Sequence, residues 1–107
     1  MKYRVILAPQ AEADVRGVYR YIRAKGAPGA AKTWSDGIRK KIRSLSVNPE
    51  RATLAPESKY LDEPVREVFY GHANRGTYRI LFLVRANTVY VLRIRHGSML
   101  PAPPQIT

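Results

Sequence analysis

The chain has 107 residues, 45% of them hydrophobic and 25% charged, and contains no cysteine. That length fits one compact domain, the composition is globular rather than disordered, and disulfides, thiolate metal sites and cysteine nucleophiles are excluded. Lys and Arg number 19 against 8 Asp and Glu, and a net charge of +11 calls for a polyanionic partner: nucleic acid, an anionic surface or an acidic protein.

Tyr3, Val5 and Leu7 alternate with Arg4 and Ile6 as a short strand that Pro9 ends. Its apolar run of three residues is far below that of a signal peptide, which together with the missing cysteines fits a reducing cytoplasm and no membrane partner. Pro9 suits the first position of a helix, and Glu12 and Asp14 follow near its positive end. Ala11, Val15, Val18, Tyr19 and Ile22 recur at helical spacing, and Gly26 is a natural stop. Pro28 opens a second helix with the stripe Ala31, Trp34, Ile38, Ile42 and Leu45, closed by Asn48-Pro49. The short connection makes the helices antiparallel neighbours, with Trp34 in the core and Lys32, Arg39, Lys40, Lys41 and Arg43 on a solvated outer face.

Residues 49–63 mix three kinds of signal: prolines, acids and no period, which together read as a surface connection. Three strands follow, Val65 to Tyr70, Tyr78 to Arg85 and Thr88 to Arg95. The last two form a hairpin over Ala86-Asn87, where Asn87 suits positive φ, and a longer turn at Asn74, Arg75 and Gly76 precedes it. After the last acid, Glu67, the chain carries only cations: Arg75, Arg79, Arg85, Arg93 and Arg95. Residues 1–97 read as one domain, and 98–107, with Pro101, Pro103 and Pro104, as a flexible tail.

The order β-α-α-β-β-β predicts an α+β fold in which a helical hairpin packs on one face of a mostly antiparallel four-stranded sheet. Alternation places Tyr78, Ile80, Phe82 and Val84, with Tyr90, Leu92 and Ile94, against the helices. The other face then carries Arg79, Leu81, Leu83, Arg85, Val89, Val91, Arg93 and Arg95. Leu and Val interleaved with Arg make a partner footprint unless a crossing segment covers them, and Arg79, Leu81, Leu83, Arg85, Arg93 and Arg95 are its candidate contacts. Glycine-rich phosphate loops, paired carboxylates and metal-ligand spacings are missing. No metal and no cofactor is expected, and His72 reads as a solvated loop residue.

Taken in order, several segments together resemble the RelE/ParE family, the toxins of type II toxin–antitoxin pairs, also called plasmid stabilisation proteins. They are Tyr3 to Leu7 followed by Pro9 to Asp14, Tyr21-Ile22, Leu45 before Asn48-Pro49, Val65-Arg66-Glu67, Gly76 to Phe82, and Val91 to Gly97. The resemblance spans nearly the whole chain. It implies a cytoplasmic growth inhibitor held inactive by an acidic antitoxin, assembled as a homodimer or a toxin–antitoxin hetero-oligomer. Two mechanisms follow from it. A ParE-like chain poisons DNA gyrase and is no enzyme; a RelE-like chain cleaves messenger RNA on the ribosome. In the second case the resemblance puts catalytic roles on Arg79, Arg66 and His96. Beyond Gly97, Ser98-Met99-Leu100-Pro101 stands where many relatives have paired arginines and then a tyrosine, which favours the ParE-like reading. A plain nucleic-acid-binding module is the third reading of so basic a chain.

Overall fold

The computed structural model describes residues 2–71 and 76–98. His72, Asn74, Arg75 and the tail from Met99 onward lie outside the described residues. In chain order the elements are β1 (Arg4–Leu7), α1 (Pro9–Ala24), α2 (Pro28–Arg43), β2 (Thr53–Leu54), β3 (Arg66–Gly71), β4 (Thr77–Arg85) and β5 (Thr88–His96). Short 3-10 turns at Ser44–Ser46, Pro49–Arg51 and Pro56–Tyr60 fill much of the path from α2 to β3. The α+β fold is the one expected, with one strand more: the sheet has five strands in the order β1-β5-β4-β3-β2. The extra strand, β2, pairs antiparallel with β3 through Thr53 and Leu54, two residues too few for a periodic signal.

Both helices start on proline, whose missing N–H is no loss in a first turn, and neither has a side-chain cap. The N–H of Ala8 instead donates to the carbonyl of Val91 at 2.8 Å, so the entry to α1 is fixed by β5. Gly26 takes φ +80° after α1, which a side chain would resist. The two helices bury Ala11, Val15, Ile22, Ala31, Trp34, Ile38 and Ile42 against Tyr78, Ile80, Phe82, Val89, Val91 and Ile94 of the sheet. Trp34 sits centrally, edge-on to Tyr78 at 5.2 Å and to Tyr70 at 6.3 Å between ring centres. Gly37, one turn further along α2, faces the Tyr70 hydroxyl so closely that a Cβ would collide with it.

Two expectations about the hairpin need correction. Val89 and Val91 lie under the helices, while Tyr90 and Leu92 turn to the opposite face. The cause is a β-bulge: Leu81 faces Arg93 and Phe82 faces Val91, leaving Leu92 as an extra residue that reverses the alternation, so Ile94 returns to the helix side. In the turn, Ala86 and not Asn87 has positive φ, at 54°.

The second face of the sheet is not open. Ala55, Leu61 and Val65 of the stretch between β2 and β3 pack over Leu81, Leu83 and Leu92 as a second small core. Two hydrogen bonds close this strap on itself: Ala55 N–H to the Val65 carbonyl at 2.7 Å, and Val65 N–H to Ser58 Oγ at 3.0 Å. The strap stops short of β1, and the face beyond it remains accessible at Ile6, 39% exposed.

Candidate functional site

The strap brings carboxylates onto the arginines that the sequence leaves without acids nearby. Glu57, 0% exposed, accepts from Arg79 through both oxygens, Nη1 to Oε1 at 2.9 Å and Nη2 to Oε2 at 2.7 Å. Glu67 of β3 takes a further bond from Nη1 at 3.1 Å. A bidentate pair with a third donor also used offsets much of the penalty that burial places on a guanidinium. The Arg79 hydrogen bonds hold the Glu57 carboxyl below its ordinary range against the opposing effect of burial, and raise Arg79 above its own. Arg95, opposite Arg79 on β5, is buried beside this pair, and desolvation lowers its pKa.

Arg93 is matched as well. Its Nε and Nη2 donate to Asp14 of α1 at 2.9 and 3.1 Å, and the same carboxylate accepts the backbone N–H of Ile94 at 2.9 Å. β1 pairs with β5 only from Thr88 to Val91, so Asp14 supplies the acceptor that a longer β1 would have provided. Arg85 at the end of β4 grips Glu63 of the strap by three contacts of 2.6–3.0 Å in an exposed pair.

Arg66, Arg79 and His96 do not converge. Arg79 is on the strap side, whereas Arg66 faces Phe82 and His96 faces Tyr78, both on the helix side and at opposite ends of that stretch of β4. Four strand residues alone separate those two positions by about 13 Å. Arg66 Nη1 donates to the Ala52 carbonyl at 2.7 Å. The His96 ring stands edge-on to Tyr78 at 5.1 Å, and its Nδ1 accepts the Ser98 N–H at 3.1 Å.

Of the six candidate partner contacts, Leu83 and Arg85 line a surface groove of about 260 Å3, completed by Ile6, Pro9, Tyr90 and Leu92. Leu81 is fully covered, and Arg79, Arg93 and Arg95 are held inside the ionic cluster or at its edge. Glu57, Glu67 and Asp14 carry no local mark in the sequence as partners of these arginines. A usable signal was the acid-rich connection itself, since arginines clustered on an apolar sheet need counter-charges from somewhere. Among the described residues, no three histidines or carboxylates come together as metal ligands, and no helix is long and apolar enough to cross a membrane.

A helical hairpin over a strongly basic, mostly antiparallel sheet, entered through a lone parallel strand, is the fold of the RelE/ParE class of small toxins. Within that class, the family model of the ParE toxin of the type II toxin–antitoxin system, parDE, matches residues 5–101, and the chain belongs to this family. Its fold is similar to a solved chain from the chromosomal ParDE toxin–antitoxin system of P. aeruginosa, with a TM-score of 0.70 at 17% identity over 89% of this chain and 96% of that chain. Comparison with curated proteins gives no match.

Proposed function

We propose that this ParE-family toxin inhibits growth by binding, as a DNA gyrase poison, and is neutralised by an acidic antitoxin. The observation that carries the reading is the capture of Arg79 by Glu57 and Glu67. Cleavage through a 2′-hydroxyl needs a cation on the phosphorane with an acid and a base beside it. Here the cation is occupied by two carboxylates, and the imidazole of the candidate set, His96, lies on the opposite face.

In this reading the antitoxin docks on the groove of Ile6, Leu83, Tyr90 and Leu92, with Arg85 at its rim. Apolar side chains would fill the groove, and an acidic residue would exchange with Glu63 for the exposed Arg85 guanidinium. Such a contact binds tightly at physiological salt and weakens only modestly as charges are screened, because the apolar part persists.

The test takes purified toxin into two assays. Inhibition of gyrase-dependent supercoiling, with no cleavage of messenger RNA on ribosomes, is the expected result. Ribosome-dependent cleavage by the wild-type chain would overturn the reading in favour of a RelE-like ribonuclease. Co-purification from the native operon should bring down a short acidic protein, and Ile6→Asp, at the exposed end of the groove, should release it.

A further inference from the structure

Lys41, Asn48 and Arg51 open onto one concavity of about 350 Å3 at the C-terminal end of α2, with Val47, Pro49 and Val68 among its apolar walls. We propose that this concavity binds single-stranded nucleic acid, one phosphate seated between Lys41 and Arg51 and the adjoining sugar and base against Val47.

Read as sequence, Lys40, Lys41 and Arg43 form an ordinary solvated helix face. The fold divides them. Lys41 turns, half-buried, toward Arg51, which arrives from a separate 3-10 turn, while Lys40 stays on the outer surface. No carboxylate lines the concavity. Lys32 and Arg39 of the same helix are matched by Asp36 and Glu12, whereas Lys41 and Arg51, which share one concavity, make no ion pair among the described residues. Two like charges sharing a concavity repel each other until an anion enters.

Cations in a last helical turn also offset the helix dipole, but that is about half a charge, and Lys40 and Arg43 of the same turn already answer it. The apolar wall selects among anions. Val47 is 53% exposed beside the two cations, a surface that inorganic phosphate or a carboxylate has no use for and that a nucleoside covers. Arg66 extends the positive rim, because the Ala52 carbonyl that its Nη1 binds belongs to the same wall.

This reading is independent of the antitoxin groove, which lies on the other face of the sheet. The experiment is fluorescence anisotropy of the full-length toxin with a labelled ten-residue oligothymidylate across a salt series. One neutralised phosphate predicts a slope of log affinity on log salt of about −0.7 or steeper. Lys41→Glu and Arg51→Glu should each weaken binding about tenfold or more with melting temperature unchanged, and Lys40→Glu and Arg43→Glu by less than about threefold. Val47→Ser should weaken the oligonucleotide but not inorganic polyphosphate, which has no base to lose. Three results would each overturn the proposal: no anisotropy change at low salt, equal losses from all four charge reversals, or displacement of the oligonucleotide by polyglutamate at equal charge concentration, which would make this an acidic-protein surface.

Discussion

Glu57 and Arg79 are 22 positions apart in sequence, yet they form a two-point ion pair in the interior, at 2.9 and 2.7 Å. The pair clamps the strap to the middle strand of the sheet. Removing one member of such a pair leaves a buried, uncompensated charge, typically a loss of about 3–5 kcal/mol. We expect Arg79→Ala to lose about that much, and Glu57→Gln less, because Glu67 still faces the guanidinium. Urea titration measures both. An Arg79→Ala variant with an unchanged midpoint would show that the clamp contributes nothing.

Acid should loosen the strap before it unfolds the helices. Glu57 has a folded-state pKa depressed from its ordinary 4.5, chiefly by the Arg79 hydrogen bond. A depressed carboxylate contributes stability that is fully present above its unfolded value and is lost as pH falls through the folded one. Glu12, held down by Arg39, acts in the same direction. Stability measured by denaturant should therefore be level above about pH 5 and fall below about 4.5. In Glu57→Gln the acid slope should be shallower; an identical slope would remove Glu57 from this account.

Trp34→Ala should be among the most damaging single changes, at about 3–5 kcal/mol, since the indole is fully buried between α2 and two tyrosines. A loss below about 1 kcal/mol would contradict the packing described above.

Ala86→Gly should stabilise. A left-handed alanine carries about 1–2 kcal/mol of strain, and the greater freedom of glycine in the unfolded chain returns part of the gain. A net increase of about 0.5–1 kcal/mol in chemical denaturation is expected; a decrease would mean that the Ala86 methyl makes a contact outweighing the strain.

Asp14→Asn separates two roles of one side chain. The amide oxygen can still accept the Ile94 N–H, but the charge against Arg93 is gone. Hydrogen exchange at Ile94 should stay slow in Asp14→Asn and accelerate in Asp14→Ala. Equal acceleration in both would mean that Arg93, and not the N–H bond, holds this edge closed.

The elements legible in the sequence are those whose period is uninterrupted: both helices, with the stripes from Ala11 to Ile22 and from Ala31 to Ile42, and the strand from Tyr78 to Val84. Alternation failed in β5 because one inserted residue, Leu92, moves every side chain before it to the other face, and no local composition marks it. The family was readable from the order of several weak segments. The state of Arg79 was not, because it depends on Glu57, whose burial requires the strap to cross the sheet, and an aperiodic acidic stretch reads as solvent-exposed. In the turn, asparagine is the residue that statistics place at positive φ, but the hairpin register puts Ala86 there.

The parallel pairing of β1 with β5 joins Arg4 to Thr88, almost the two ends of the domain. β5 also forms the longest contact with β4, gives α1 its starting hydrogen bond through Val91, and supplies residues to both cores. During synthesis, then, the first strand emerges long before its only neighbour, and neither core can close until the last strand has left the ribosome. Folding that waits for distant ends is slow compared with helix formation. The domain therefore acquires its shape late, and the strap, both cores and the groove beside β1 all come into being only once β5 is in place.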